Sequence, residues 1–334
     1  MYKVTVSAEK MARIKRLSNQ DDVIAALAID QRGSLRKMLS ATDSTDDIDA
    51  VVVAFKKLIS QELTHFSSSI LLDPEYGLPA ANVRAEFSGL LLAYEKTGYD
   101  TSEPGRLPDL LEDWSVERLK NEGADAIKFL LYYDADEDEK INRIKHVFME
   151  RIGAECKALD MPFFLEIVTY DTDIIDVKGP EFAKVKPHKV IQAMKEFSKP
   201  AYYVDVLKVE IPVNMNYVEG FATMNQEAVY TKDEAMAYFK EQSESTHIPF
   251  IFLSAGVSMN LFKETLMLAK TAGSTFNGVL CGRATWKDSV GIFAESGEQK
   301  TIEWLQTTGK NNIESLNEVL KDTASPWTDY YTVE

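Results

Sequence analysis

Eight short apolar runs, spaced along most of the chain, restrict its fold more than any other feature of the sequence. They cover residues 23–30 (VIAALAID), 69–73, 88–95, 125–133, 162–170, 203–211, 248–256 and 276–284. Such runs are too short for buried helices and end in polar residues, which suits strands covered on both faces, as in parallel sheets. Helical stretches lie between most of them, at about 47–66, 115–122, 137–159, 188–198, 232–242 and 259–272, with a weaker one at 80–87. A short amphipathic helix over 7–17, capped by Ser7, precedes the first run, and a helical tail follows over about 298–321. Strands alternating with helices in this number predict a (β/α)8 TIM barrel. A doubly wound open sheet fits less well, because no Gly-x-Gly-x-x-Gly follows the first run. No linker, repeat or low-complexity segment divides the chain. Residues 1–334 therefore read as one domain, with terminal extensions of about 1–20 and 290–334.

Charge and cysteine usage narrow the function. The 53 acids outnumber the 37 bases, for a formal net charge of -16. A nucleic-acid surface needs a basic footprint, so that class is excluded, and any anionic substrate must be held by local donors. Cys156 and Cys281 are too few for a disulfide framework. The N-terminus has no uninterrupted apolar segment, and no run approaches the ~18 residues of a spanning helix. The expectation is a cytoplasmic protein without a membrane partner.

Barrel enzymes place their chemistry at the C-terminal ends of the strands. Here those ends carry Asp30, Asp73, Glu95, Glu166, Lys208, Ser254 and Arg283, with Lys128 inside the fourth run. A charge in a dry layer costs several kcal/mol unless it is paired or shifts its pKa. Lys208, in VDVLKVEIP, shares a strand face with Val204 and Val206. Desolvation and a second cation such as Lys128 would lower its pKa and supply the neutral amine of Schiff-base chemistry. It could equally be a strand-end lysine that reaches solvent or pairs with Glu210. Glu166, between Leu165 and Ile167, is expected to have a raised pKa and to exchange protons, or else to neutralise Lys128 or Lys208. Lys128 has the same two readings. Asp30 either caps the helix that follows or holds a substrate hydroxyl.

Ser254-Ala255-Gly256 after the seventh run and Gly282-Arg283 after the eighth stand where barrels hold phosphate. Small residues there let backbone N–H groups approach an anion, and a guanidinium can grip it with two bonds. The four histidines, His65, His146, His188 and His247, end no strand and share no ligand spacing. No metal is expected.

The stretches ALAIDQRGSLRKML, GADAIKFLLYY, FFLEIVTYD, DVLKVEIPVN, FLSAGVS and CGRATWKD resemble the class I tagatose 1,6-bisphosphate aldolases over nearly the whole chain. That resemblance implies cofactor-free cleavage of a sugar bisphosphate, D-tagatose 1,6-bisphosphate, to dihydroxyacetone phosphate and D-glyceraldehyde 3-phosphate. It implies an imine on Lys208, with Glu166 as acid-base and Lys128 as a polar partner. Asp30 and Gln31 would line the substrate, and Ser254, Gly256, Gly282 and Arg283 would hold a phosphate. It also implies a homo-oligomer. Two rival readings are an aldolase for fructose 1,6-bisphosphate or a sulfonated analogue, and a regulatory protein that binds a sugar phosphate on an aldolase-like barrel.

Overall fold

In the computed structural model, which describes residues 3–40, 47–96, 104–222 and 226–334, the eight apolar runs become eight parallel strands closed into a barrel. These are β2 (Ile24–Ala28), β3 (Ser69–Leu72), β4 (Gly89–Ala93), β5 (Ala126–Tyr133), β6 (Phe163–Thr169), β7 (Val206–Val209), β8 (Phe250–Leu253) and β9 (Gly278–Cys281). Pairing of β9 with β2 completes the ring. Two three-residue strands, β1 (Val4–Val6) and β10 (Tyr331–Val333), pair in parallel outside it. Segments so short show no periodicity, and the sequence reading missed both.

Side chains alternate between the two faces of a strand. One set forms the inner core: Ala26, Ala28, Leu71, Leu91, Ala93, Ala126, Phe164, Val206, Ile251 and Leu280. Their neighbours Leu27, Leu72, Leu92, Ile127, Leu165, Leu207 and Phe252 pack outward among the helices. Both faces are dry, which is why the runs are apolar throughout.

The chain ends close the lower mouth. Ile14 and Leu17, at the end of the helix Ala8–Arg16, join the inner core with Trp327 and Tyr331. Ser7 caps that helix, its hydroxyl accepting from the amide of Lys10. The Lys10 ammonium meets Asp205, just before β7, at 2.8 Å. Asp205 also accepts from the amide of Phe163 at 2.8 Å, so one carboxylate ties the first helix to the starts of β6 and β7. Arg16 does likewise for β5 through Asp125, at 2.6 Å.

The outer helices follow the expected order, with three differences, the first being that the weak helix expected over 80–87 is a single turn at Leu78–Ala81. The helix expected to open at residue 188 instead spans Pro180–Phe197. Pro180 suits a first turn, where no N–H is needed, whereas Pro187 lies inside the helix and leaves the carbonyl of Ala183 without its usual donor. The Tyr230 hydroxyl donates to that carbonyl instead, so the helix runs through the proline. The tail comprises two helices, Ser289–Trp304 and Lys310–Thr323, joined by a wide turn over Leu305–Gly309.

Candidate active site

Continuing five of the inner rows by two residues toward the upper mouth replaces carbon with charge. Ala28 gives way to Asp30, Ala93 to Glu95, Ala126 to Lys128, Phe164 to Glu166 and Val206 to Lys208. The strand register then sets the neighbours: Glu166 lies opposite Lys208 across β6 and β7. All five side chains are buried, and Lys128 has no exposed surface.

The Lys128 ammonium touches three carboxylates, Glu95 at 2.7 Å, Asp30 at 2.8 Å and Glu166 at 2.9 Å. Lys208 touches Glu166 at 2.8 Å through Oε2, the oxygen that also faces Lys128. Arg32 backs the cluster, donating to the Glu95 carbonyl at 2.7 Å and lying 3.8 Å from its carboxylate. Three acids thus meet three bases, which lets so many charges share a dry space.

These contacts settle several of the alternatives. Burial pushes the Lys128 pKa down, but Asp30, Glu166 and Glu95 outweigh it and hold the group well above the ordinary lysine value. Lys128 is a permanent ammonium. Burial pushes Glu166 up, but Lys128 and Lys208 overcome it and leave the carboxyl below its ordinary 4.5. The raised pKa expected for Glu166 is therefore corrected: two ammoniums on one oxygen favour the carboxylate more than desolvation disfavours it. Asp30 follows the same logic and stays ionised, held down by Lys128 and Lys208 against its burial. Glu95 goes the other way, because its burial exceeds the pull of Lys128 and Arg32.

Asp30 caps no helix. The helix Gly33–Leu39 starts at Arg32 with no side-chain cap, which leaves Asp30 to Lys128. Glu210 is not the partner of Lys208. It pairs with Lys186 at 3.3 Å and accepts from Thr169.

The other predicted residues gather on the β2, β8 and β9 side. The Gln31 amide oxygen is buried with no hydrogen-bond donor among the described residues, an acceptor suited to a substrate hydroxyl. Its Nε2 lies 3.7 Å from where a Cβ on Gly282 would stand, and that Cβ would crowd the Ala28 carbonyl at 3.1 Å. Arg283 is exposed and opens the short helix Arg283–Trp286. Its guanidinium lies across Gly256, 3.6 Å from a Cβ built there. Ala255 and Gly256 are both left-handed, with φ of 50° and 75°. Adopting that form costs Ala255 about 1–2 kcal/mol, and such strain tends to collect where a backbone is shaped for a ligand. Ser254 is buried with its hydroxyl against the Cys281 thiol, so its side chain faces β9.

Residues 24–288 match the model of the DeoC/LacD family aldolases. The chain belongs to this family. Tagatose 1,6-diphosphate aldolase 2 of Enterococcus faecalis is 64% identical to it over 324 residues, covering 97% of each chain. Tagatose 1,6-diphosphate aldolase of Staphylococcus haemolyticus is 57% identical, covering 97% of this chain and 99% of its own. Among solved structures, the fructose-bisphosphate aldolase of Plasmodium falciparum superposes with a TM-score of 0.68 at 15% identity, over 97% of this chain and 98% of the other. A Schiff-base-forming fructose-1,6-bisphosphate aldolase gives 0.58 at 14% identity, over 93% and 99%. At such identities the two structures share the barrel fold.

Within this DeoC/LacD aldolase, the sequence reading placed Glu95 among the strand-end charges without giving it a role, and left Arg32 out of the site. Glu95 was discoverable: it follows Ala93 by two residues, just as Lys128 follows Ala126. Arg32 was not, because it reaches the cluster from a helix start whose direction no period reveals.

Proposed function

We propose that this chain is a metal-independent Schiff-base aldolase that cleaves D-tagatose 1,6-bisphosphate to dihydroxyacetone phosphate and D-glyceraldehyde 3-phosphate. The observation that carries the proposal is one carboxylate oxygen, Oε2 of Glu166, held between two buried lysines of unequal surroundings. Lys128 is locked as a cation by three acids, which leaves Lys208 to act as the nucleophile.

Lys208 attacks the C2 ketone and passes a proton to Glu166, which lies within hydrogen-bond reach. Glu166 returns that proton to the carbinolamine hydroxyl, which leaves as water, giving a protonated imine and restoring the carboxylate. The C3–C4 bonding pair then flows into that imine, the C4 hydroxyl proton goes to Glu166 directly or through water, and the aldehyde half departs. Reprotonation of the enamine at C3 and hydrolysis release dihydroxyacetone phosphate and restore Lys208. The fixed charge of Lys128 steadies Glu166 and the oxygens near C2 and C3 throughout. Asp30 and Gln31 orient hydroxyls, while Arg283, the Gly256 turn and the Gly282 backbone grip the C1 phosphate, with Ser254 supporting that turn. The names of the full-length relatives support the choice of sugar. No described helix is long and apolar enough to cross a membrane. A cytoplasmic setting and a homo-oligomeric assembly belong to the same proposal.

The test is turnover of the four epimeric ketose 1,6-bisphosphates, each coupled to reduction of the dihydroxyacetone phosphate released. Tagatose 1,6-bisphosphate should be cleaved. Turnover of the fructose epimer alone would reassign the sugar, and failure with all four in a folded protein would favour the regulatory reading.

Arg283→Ala supplies a second check. A lost charged hydrogen bond is worth roughly 1.5–3 kcal/mol, so KM for the bisphosphate should rise about 10- to 100-fold. An unaltered KM would move this phosphate site elsewhere.

A further inference from the structure

The geometry points to a second anion site across the mouth, where Arg106 takes the phosphate on the aldehyde half of the substrate. This assignment rests on the aldolase reading above and extends it to a residue outside the catalytic cluster. Its first support is elimination. Most of the buried or half-buried bases near this end of the barrel are already matched: Lys56 with Asp73, Lys186 with Glu210, Arg32 with Glu75, and Lys189 with Asp134, Asp136 and Asp171. Arg106 is half-buried and, among the described residues, pairs with no carboxylate.

A second support is how firmly Arg106 is held. Its guanidinium carbon lies 4.5 Å from the Tyr170 ring centre and 5.4 Å from that of Tyr132. Stacking on a ring engages the flat face of a guanidinium and leaves its edge N–H groups for an anion. The Tyr170 hydroxyl anchors the same loop at the Gly105 carbonyl, 3.2 Å away. Gly105 has a φ of 86°, and a Cβ there would stand 2.4 Å from Ile141. Arg106 itself is left-handed, with a φ of 45°, which is uncommon for a residue with a side chain. Beneath Tyr170 lies Lys145, fully buried, 4.8 Å from the ring centre and 2.9 Å from the hydroxyl. Burial and the nearby Arg106 pull Lys145 down to about 8, against Glu137 and Asp134. A phosphate arriving at Arg106 would favour its charged form.

The third support is direction. Tyr132 is on β5, two residues beyond Leu130, which lies opposite Glu166. Its phenol is pushed up by burial and by Glu166 and Glu210, and pulled down by Arg106 and Lys128, so it stands between the patch and the catalytic cluster. In the ring of eight strands, β5 is diametrically opposite β9. A substrate bonded to Lys208 at C2, with its C1 phosphate beside Arg283 after β9, projects its far end toward β5.

The experiment compares tagatose 1,6-bisphosphate with tagatose 1-phosphate in the wild type, Arg106→Met and Arg106→Lys. Met keeps the aliphatic reach across the rings, and Lys keeps the charge. Loss of a charged contact should lower the kcat/KM preference for the bisphosphate about 10- to 100-fold in Arg106→Met, with partial recovery in Arg106→Lys. Calorimetric binding of glyceraldehyde 3-phosphate needs no turnover and should weaken by a similar factor. An unchanged preference, or equal losses on both substrates, would overturn the assignment. Borohydride trapping of dihydroxyacetone phosphate separates the two levels. If the wild type traps none, the aldolase reading fails; if it traps and cleaves normally while the preference persists in Arg106→Met, only the Arg106 site fails.

Discussion

Borohydride added to the protein with dihydroxyacetone phosphate should inactivate it and leave a fixed mass addition on Lys208. Two buried lysines face the same carboxylate oxygen, so the outcome discriminates between them. Lys128 sits against Glu95, Asp30 and Glu166, which together hold its ammonium far too tightly for it to supply a lone pair at neutral pH. Lys208 has Glu166 alone among its ion-pair partners in the described residues. Lys208→Arg should abolish trapping, since a guanidinium stays protonated, while preserving the charge that Glu166 requires. Removing the nucleophile of a covalent mechanism can cost about 10⁶-fold in kcat, so turnover should fall to background. The fold should survive, because the strand below Lys208 is packed by Val206 in the inner core and Leu207 in the outer one. A label on Lys128 would exchange the roles of the two lysines while keeping the reaction class. Cleavage without any label would defeat the covalent mechanism altogether.

How far the sequence foretold this site follows from what a period-two pattern can carry. Each barrel strand buries both faces, so apolar runs announced all eight strands, and charged residues within them marked where the dry core ends. The parity that puts Ala126 and Lys128 on one face also puts Ala93 and Glu95 there, and it is written in the chain. The sign of a pKa shift is not. Glu166 in isolation, among Leu165 and Ile167, reads as a desolvated acid. Only the register that sets it opposite Lys208 and beside Lys128 reverses that reading. Long-range pairings between loops and helix ends are hidden for the same reason. Tyr230 relieving the Ala183 carbonyl above Pro187 and Arg106 lying across Tyr132 and Tyr170 both join parts of the chain that no local pattern connects.

Glu166→Gln should lower kcat by about 10²- to 10⁴-fold with little change in KM, since it keeps the shape of the side chain and removes the proton transfer. The depressed pKa looks at first like a handicap for an acid-base group. It belongs to the free enzyme, where Lys128 and Lys208 both face the carboxyl at 2.9 and 2.8 Å. A neutral carbinolamine on Lys208 carries no charge, so burial favours the protonated carboxyl at that stage; the protonated imine then restores a cation beside Glu166 and returns it to the carboxylate that accepts the C4 hydroxyl proton. This has a sign that pH profiles can read. The free-enzyme pKa of Glu166 lies below 4.5, so ionisation of Glu166 should produce no acid limb in kcat/KM between about pH 5 and 7. The same depressed pKa stabilises the fold above pH 4.5, a contribution that is lost as the pH falls through the folded value and that Glu166→Gln should remove. An acid limb near neutrality that vanishes in Glu166→Gln would show that desolvation outweighs the lysine pair after all. A defect confined to KM would instead reduce Glu166 to a residue that binds substrate.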